Sequence, residues 1–433
     1  MRYILIAAFL PTMALAQGDS AARPITLDEA IRLARQNSPT TIQARNTVNA
    51  NEASVRTRLS AFLPTVSGSM SGGHGSGTTF NSAGQIIPRN SVTPWSFSRR
   101  ISASWLLFDA GDRNFQLNAA RANVAAAEAN EVAAEFNVSY QVSQQYFAAL
   151  AARESRSAAL TALEEAQQNL RAASARVAAG AATRSDSLRA AIAVGNQQLN
   201  VLSAENDLQN ANVALTRLVG STFIVTAVET DTGRVTPVAA DSAELSRLLD
   251  MSPALQASRA SLTAARAAVR TSRTDYFPSI SVGYGVTDQN ADANFDWGQG
   301  ATSRNKSFSL SMSVPLFNGL GREEAVQRAS INEINARAAL RDARLFAQQQ
   351  LTQYLGQLRL AQARISIMQA SLEAAQEDLR VQQQRYQLGA STQLELLTTQ
   401  TQLNAARFNL INARYQVRIA KAQLEQLIGR DIR

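Results

Sequence analysis

Cysteine is absent from the sequence and histidine occurs once, as His74. The first absence excludes a disulfide framework, a thiolate metal site, a cysteine nucleophile and the lipidated cysteine of a bacterial lipoprotein. The second leaves imidazole metal clusters and Ser/His/Asp triads without their parts. No metal, cofactor or catalytic residue is expected, and the carboxylates are too dispersed to assemble an enzyme site. Aromatic residues make up 6% and charged residues 18% of the 433 positions. Long apolar runs are equally scarce. Beyond the N-terminal stretch no segment approaches the roughly 18 continuous apolar residues of a spanning helix, which excludes an inner-membrane helical transporter.

What is present is Ala, Gln, Asn, Ser and Leu in long middle stretches, a composition suited to extended helices. The formal charge is +8, and all 42 basic residues are Arg except Lys306 and Lys421. The arginines stand singly on helical stretches, without basic clusters or interleaved aromatics, so they read as a solvated surface and no nucleic-acid partner is expected. At the N-terminus Arg2 precedes the apolar run Tyr3 to Leu10, and Ala14, Leu15 and Ala16 close it in the small-x-small pattern of a cleavable export signal. Residues 1–16 are read as that signal, with the mature chain starting at Gln17.

The chain matches itself at about half its length. Shifted by 214 positions, Ser38 and Pro39 fall on Ser252 and Pro253, Arg45 on Arg259 and Pro64 on Pro278. Shifted by 209, Phe108 falls on Phe317, Arg113 on Arg322, Arg176 on Arg385, Gly180 on Gly389, Thr183 on Thr392 and Gly220 on Gly429. The change of offset lies between Pro64 and Phe108, where loop length varies at little cost. The expected organisation is an N-terminal segment 17–38, a first repeat 39–220, a joining segment 221–250, a second repeat 251–429 and a tail 430–433.

Each repeat has the same order. Thr26 and Glu29 have capping-box spacing ahead of a short helix running to Gln36. Helices of about 22 residues follow, Pro39 to Ser60 and Pro253 to Thr274, each stopping before a proline. The apolar period then switches from 3.6 to 2. Ile280, Val282, Tyr284 and Val286 alternate with Ser and Gly, and Phe308, Leu310, Met312 and Val314 alternate with serines. Strands are expected at about 64–76, 96–108, 278–287 and 306–317. One apolar face opposite one small polar face is the pattern of a transmembrane β-barrel with a lipid side and a lumen side, although strands of a soluble sandwich also alternate. The Gly/Ser/Asn-rich stretches 76–94 and 287–305 read as exposed loops.

Helical composition without proline runs over 112–178 and 321–387, each roughly 100 Å long at ~1.5 Å per residue. Gly180 and Gly389 end these rods, and returning helices are expected at 187–219 and 396–428. In the second, Leu396, Leu403, Leu410, Val417 and Leu424 lie seven apart, with Thr399, Ala406, Ala413, Ala420 and Leu427 three further on. The first gives Val194, Val201, Leu208 and Leu215 with Gln197, Ala204, Ala211 and Leu218. Such a repeat imposes left-handed supercoiling, and small second positions allow close approach. The heptads also suit an isolated two-stranded filament. Tight Gly turns favour antiparallel pairs.

Four strands cannot close on themselves, and an open edge in lipid leaves unpaired backbone groups costing several kcal/mol each. Single-chain barrels start at about eight strands. A barrel built from this chain must be shared among subunits.

These features together resemble the TolC family of outer-membrane efflux and export ducts, over essentially all of 25–429. The residues carrying the resemblance are the doubled layout, Thr26 to Ala34 with the following Ser38-Pro39, Leu107 to Gly111 with Leu316 to Gly319, and Arg385 to Gly389 running into Leu394 to Leu397. The resemblance implies a mostly α protein with membrane β, each chain a tandem-repeat protomer. Three protomers would form a 12-stranded β-barrel in the outer membrane of a Gram-negative bacterium and a long coiled-coil α-helical barrel crossing the periplasm. The termini and segment 221–250 would sit in an equatorial girdle. It also implies a homotrimer in outer-membrane lipid, partnered by a periplasmic adaptor and by an inner-membrane pump or ABC secretion ATPase. The function implied is the exit duct of a multidrug efflux pump or type I secretion system.

By the same resemblance Gly180, Thr183, Gly389 and Thr392 form the turns of a periplasmic tip. Asp186 and Tyr386 fall where the family bridges its hairpins with a carboxylate and a tyrosine, and Glu395 falls at an acidic-ring position. The sequence departs from the family pattern at Ser391 and Thr398, where a further latch and a second acidic ring would stand. On physical grounds three copies of Glu395 around an axis would attract cations. Asp186 near a helix N-terminus suits a cap equally well. His74 reads as exposed loop, and Trp95, Trp105 and Trp297 lie near strand ends or in loops. The competing reading is a secreted periplasmic coiled-coil scaffold or adaptor, which uses the same heptads and has no lipid-facing strands.

Overall fold

The computed structural model describes residues 22–74, 79–80, 82–87, 95–229, 247–292 and 303–430. The export-signal reading, Trp297, most of both loops and residues 230–246 lie outside them. The elements in chain order are β1 (Arg23–Ile25), α1 (Leu27–Asn37), α2 (Pro39–Ser60), β2 (Thr65–His74), β3 (Thr79–Phe80), β4 (Ile86–Ile87), β5 (Trp95–Phe108), α3 (Asp112–Ala178) and α4 (Arg184–Val219). These are followed by β6 (Val225–Ala227), α5 (Pro253–Ser272), β7 (Ser279–Asp292), β8 (Ser303–Ser313), α6 (Gly321–Gln387) and α7 (Gln393–Ile428). Two compact units partition them: one holds the chain up to Gln43, Val132–Pro253 and Phe346 onward, and the other holds Ala44–Glu131 and Ala254–Leu345.

The first unit is built on a parallel pairing of β1 with β6, Ile25 opposite Ala227. Ile25, Ala30, Ala34, Val142, Leu215, Val219 and Val225 form its dry centre. Tyr146 crosses it with its ring buried, its hydroxyl 2.6 Å from the Val228 carbonyl and 3.0 Å from the Ile25 carbonyl. Burial pushes that phenol's pKa up, so it stays a neutral donor. Thr26 caps α1 by accepting from the Glu29 amide at 3.3 Å, while the Glu29 carboxylate accepts from Arg23 instead of closing the expected box. In α7 both heptad series are buried: Leu396, Leu403, Leu410, Val417 and Leu424, with Thr399, Ala406, Ala413, Ala420 and Leu427. In α4 only Val201, Leu215 and Ala204 of the corresponding series are buried, and Leu188, Ile192, Leu199 and Leu202 are exposed. The α7 C-terminus needs Gly429, with φ 72° and the Pro253 ring 2.6 Å from where a Cβ would sit.

The second unit carries the antiparallel sheet β2-β5-β7-β8. Here several expected bounds shift. Strand β8 spans 303–313 instead of 306–317, because Pro315 has no N–H for the ladder and Val314, Leu316 and Phe317 fall beyond it. Strand β7 runs on to Asp292, continuing into what reads as loop, because β5 and β8 both offer it partners. His74 is the last residue of β2, paired with Trp95 at a ring separation of 5.0 Å, so the loop assignment is corrected. Helix α5 stops at Ser272 rather than Thr274, since the Thr274 hydroxyl lies 2.6 Å from the Thr271 carbonyl and 2.7 Å from Asp112 Oδ1 and tightens the chain into a 3-10 turn.

Candidate functional site

The strand registers sort every side chain of the sheet onto one of two faces. One row across all four strands reads Val66, Ala103, Tyr284, Phe308, and the neighbouring row on that face reads Trp105, Val282, Leu310. Phe308 is 74%, Val66 71% and Leu310 66% exposed, so these rows are uncovered by any part of the chain described, while Phe97, nearer the hairpins on the same face, is buried. The opposite face carries Ser67, Ser102, Gly285, Ser307 in one row and Thr65, Ser104, Gly283, Ser309 in the next. The β2 and β5 hydroxyls satisfy one another across strands, Thr65 to Ser104 at 2.7 Å and Ser67 to Ser102 at 2.9 Å. A Cβ at Gly283 would stand 2.9 Å from Ser309 Oγ, so a larger side chain there would require that hydroxyl to turn aside. Among the described residues β2 and β8 are sheet edges with no further strand beside them.

Where strands pass into long helices, the same residue of each repeat closes the turn. Arg113 donates to Asp109 at 2.7 Å and lies over the Phe62 ring at 5.0 Å. Arg322 donates to the carbonyls of Pro315 and Leu316 at 2.8 and 3.1 Å and lies over Tyr276 at 4.8 Å.

At the far ends of α3 and α6 the chain turns through Gly180 and Gly389, at φ 72° and 75°. The amides of Ala181 and Ala390 donate back to Arg176 and Arg385 carbonyls, both at 2.8 Å, so the two turns are equivalent. Thr183 and Thr392 are the N-caps of α4 and α7, which therefore start at Arg184 and Gln393, three residues earlier than expected. Asp186 closes back on Thr183, accepting from its amide at 3.1 Å and its hydroxyl at 2.8 Å. These bonds, the hydroxyl first, hold the Asp186 carboxyl below the usual carboxylate range. Glu395 is held low mainly by the Ser391 hydroxyl at 2.6 Å and by the Thr392 amide.

The expected Asp186–Tyr386 bridge is not formed within the chain. Asp186 is taken up in its cap, and the shielded Tyr386 hydroxyl has no hydrogen-bond partner among the described residues. Arg176 takes that place: it donates to the Tyr386 carbonyl at 2.7 Å and its guanidinium lies 4.4 Å over the ring. Sequence reasoning notes Arg176 only as the repeat mate of Arg385. Arg385 does something different, donating to the Ala390 carbonyl of its own turn at 3.3 Å.

Along their length α3 and α7 are joined by polar contacts. Arg407 clasps Glu165 with two bonds of 3.0 and 3.2 Å, Tyr415 donates to Glu154 at 2.7 Å, and Gln423 donates to the Tyr140 hydroxyl at 2.8 Å. Burial, then the Glu154 carboxylate, pushes the Tyr415 phenol well above its ordinary range.

Comparison with known proteins matches this doubled layout. Residues 30–221 and 245–430 match the family described as Outer membrane efflux protein. The chain is 29% identical over 391 residues to protein CyaE of Bordetella pertussis, covering 88% of this chain and 79% of that one. It is 28% identical over 340 residues to the pyoverdine export outer membrane protein OpmQ of Pseudomonas aeruginosa, covering 76% and 68%. Among solved structures, a CusC crystal structure superposes with a TM-score of 0.78 at 22% identity, covering 93% of this chain and 92% of that one. The outer membrane protein VceC of Vibrio cholerae superposes at 0.76 and 19%, covering 94% and 97%.

Proposed function

We propose that this chain, which belongs to the outer membrane efflux protein family, is one of three identical subunits of an outer-membrane exit duct. The observation that carries the reading is the sheet itself. Its four strands have one wide, exposed apolar face, one Ser/Gly face and two open edges. In hydrocarbon those edges must be paired, and three copies supply twelve strands, enough for a closed barrel whose apolar face meets lipid and whose hydroxyl face lines water.

The duct conducts passively, because what the subunit supplies is a wall and a constriction. In this reading the rods α3 and α6 with their returning helices form a tunnel through the periplasm, and the segments around the β1–β6 pair form the equatorial girdle. The Gly180 and Gly389 turns form the periplasmic tip, where a periplasmic adaptor and an inner-membrane pump or ABC secretion ATPase would engage. Three Glu395 carboxylates, all ionised at neutral pH, would ring its opening. At the tip Arg176 takes the part of the hairpin clasp, and Asp186 that of a helix cap.

The exposed α4 residues Leu188, Ile192, Leu199 and Leu202 also favour an oligomer over a monomeric scaffold, since they leave an apolar stripe for a neighbouring copy to cover. The test is fractionation followed by planar-bilayer recording. The mature chain is expected in outer-membrane extracts as a heat-modifiable trimer that opens single channels. A water-soluble monomer without conductance overturns the reading in favour of the scaffold.

A further inference from the structure

We infer that β8 of one copy pairs antiparallel with β2 of the next in one register, with Met312 opposite Met70. The seam rests on the duct reading above, which joins the two open sheet edges between copies, and adds to it the alignment of that junction.

The two repeats carry the alignment within them. Offsets of 214 for β2 onto β7 and 209 for β5 onto β8 lay one hairpin on the other. Thr65 opposite Ser104 becomes Ser279 opposite Ser313, and Ser71 opposite Ser98 becomes Gly285 opposite Ser307, and all four pairings are present. The same offsets take the stacked Phe62 and Arg113 onto Tyr276 and Arg322. One hairpin unit is therefore used twice, down to the turn that leaves it.

Within the chain the two units meet through β5 and β7, with Ala103 opposite Tyr284. Copies of a unit that meet head to tail around a closed ring reuse the contact that already joins two of them. Transfer of that contact puts β8 in the place of β5 and the next copy's β2 in the place of β7. Ala103 opposite Tyr284 then becomes Met312 opposite Met70, and Ser102 opposite Gly285 becomes Ser311 opposite Ser71. In the same way Ile101 opposite Val286 gives Leu310 opposite Gly72, and Trp105 opposite Val282 gives Val314 opposite Gly68.

The side chains fit this transfer. Met70, Gly68 and Gly72 share the apolar face of β2, and Met312, Leu310 and Val314 that of β8, so both faces of the sheet continue across the seam. A slip of one residue would turn every apolar side chain of β8 toward the lumen. A Cβ at Gly68 would meet nothing within 4 Å, so packing inside the chain does not demand a glycine there, whereas a neighbour's Val314 would use the space. The ladder also breaks at matching places. Between β5 and β7 the register shifts just after Leu106, and the repeat mate of Leu106 is Pro315, which has no N–H to give.

The chain has no cysteine, so paired cysteine substitutions in the full chain report on the seam without background. Residues directly opposite one another bring their Cβ atoms to about 4.5–5.5 Å, near disulfide range, whereas diagonal neighbours stand about 7–8 Å apart. Two adjacent pairs are tested because only one of them occupies the closer, non-hydrogen-bonded position. On oxidation in outer membranes, Met70→Cys with Met312→Cys, or Ser71→Cys with Ser311→Cys, should link copies covalently on denaturing gels. Each is compared with pairs slipped by two residues on its own face: Met70→Cys with Leu310→Cys or Val314→Cys, and Ser71→Cys with Ser309→Cys or Ser313→Cys. At least one aligned pair should link about tenfold faster than its slipped partners. Faster linking of a slipped pair, or no linking by either aligned pair in reduced variants that conduct like the wild type, overturns the register alone. A wild type that forms neither oligomer nor channel removes the duct reading and the seam with it.

Discussion

Arg176 and Tyr386 are joined twice, once through the guanidinium 4.4 Å above the ring and once through a 2.7 Å bond to the tyrosine's own carbonyl. The contact ties the end of α3 to the end of α6, and so one repeat to the other at the place where both turn back. A charge-assisted bond of this kind contributes about 1.5–3 kcal/mol and a partly shielded cation–π contact about 0.5–2 kcal/mol.

Removing that clasp should loosen the tip. Arg176→Ala is expected to raise single-channel conductance in planar bilayers, while Tyr386→Phe keeps the ring and the carbonyl and should conduct like the wild type. Asp186→Ala should leave conductance unchanged and cost about 1 kcal/mol of local helix stability, read as faster amide exchange at the start of α4. A conductance increase in Asp186→Ala with none in Arg176→Ala would return the latch to the aspartate.

Glu395→Gln is expected to lower cation preference, measured as a shift of reversal potential toward zero in a salt gradient. The sign of the pH dependence follows from the depressed pKa. Its cap bonds and its charge are both fully present above the ordinary carboxylate range, and are lost only as pH falls through the lower value of the folded protein. Selectivity should therefore hold constant from neutral pH down into the mildly acidic range before it declines. A decline centred near pH 6 would point to a different group.

A buried heptad leucine of α7 and an exposed leucine of α4 outside the heptad series predict unequal substitutions. Leu403, 2% exposed, should cost about 2–5 kcal/mol when replaced by Ala, and the chain should lose thermal stability in any oligomeric state. Leu199, 65% exposed, should leave the secondary structure of the chain intact on the same change but lower the temperature at which the trimer dissociates in SDS. Equal effects of the two on trimer dissociation alone would count against the α4 face as a seam.

Gly429→Ala places a methyl group 2.6 Å from the Pro253 ring at a residue with φ 72°. Backbone strain alone costs roughly 1–2 kcal/mol at such a position. The variant should show a lower melting temperature in detergent, and a melting point equal to the wild type's would mean that the α7 end moves freely away from Pro253.

The rods were legible because no proline interrupts them and Gly180 and Gly389 supply the left-handed turns that follow them. Strand faces were legible because a period of two admits only two answers. What escaped was of two kinds: local stops and starts that the apolar pattern overran, and contacts made to a second segment. Pro315 ended β8 early although the apolar alternation ran on, and Thr183 and Thr392 started their helices before the first apolar residue. Most tellingly, Arg176 and Arg385 occupy the same place in their repeats, yet one reaches across the chain and the other caps its own turn. The local sequences differ at the next position, where Tyr386 stands against its repeat mate Val177. The asymmetry arises because only one of the two has an aromatic face from the other repeat beneath it.

The Ser/Gly face of the sheet has a consequence for traffic. Its β2 and β5 hydroxyls are engaged with one another, and the rows Thr65, Ser104, Gly283, Ser309 and Ser67, Ser102, Gly285, Ser307 bear no formal charge. A solute passing these two rows finds neither a counter-ion to linger beside nor a greasy patch to stick to, and meets a single guanidinium per subunit, that of Arg100, in the row toward the hairpins. Friction is low and discrimination is by girth, so whatever decides which molecule leaves the cell must act before the molecule reaches this sleeve.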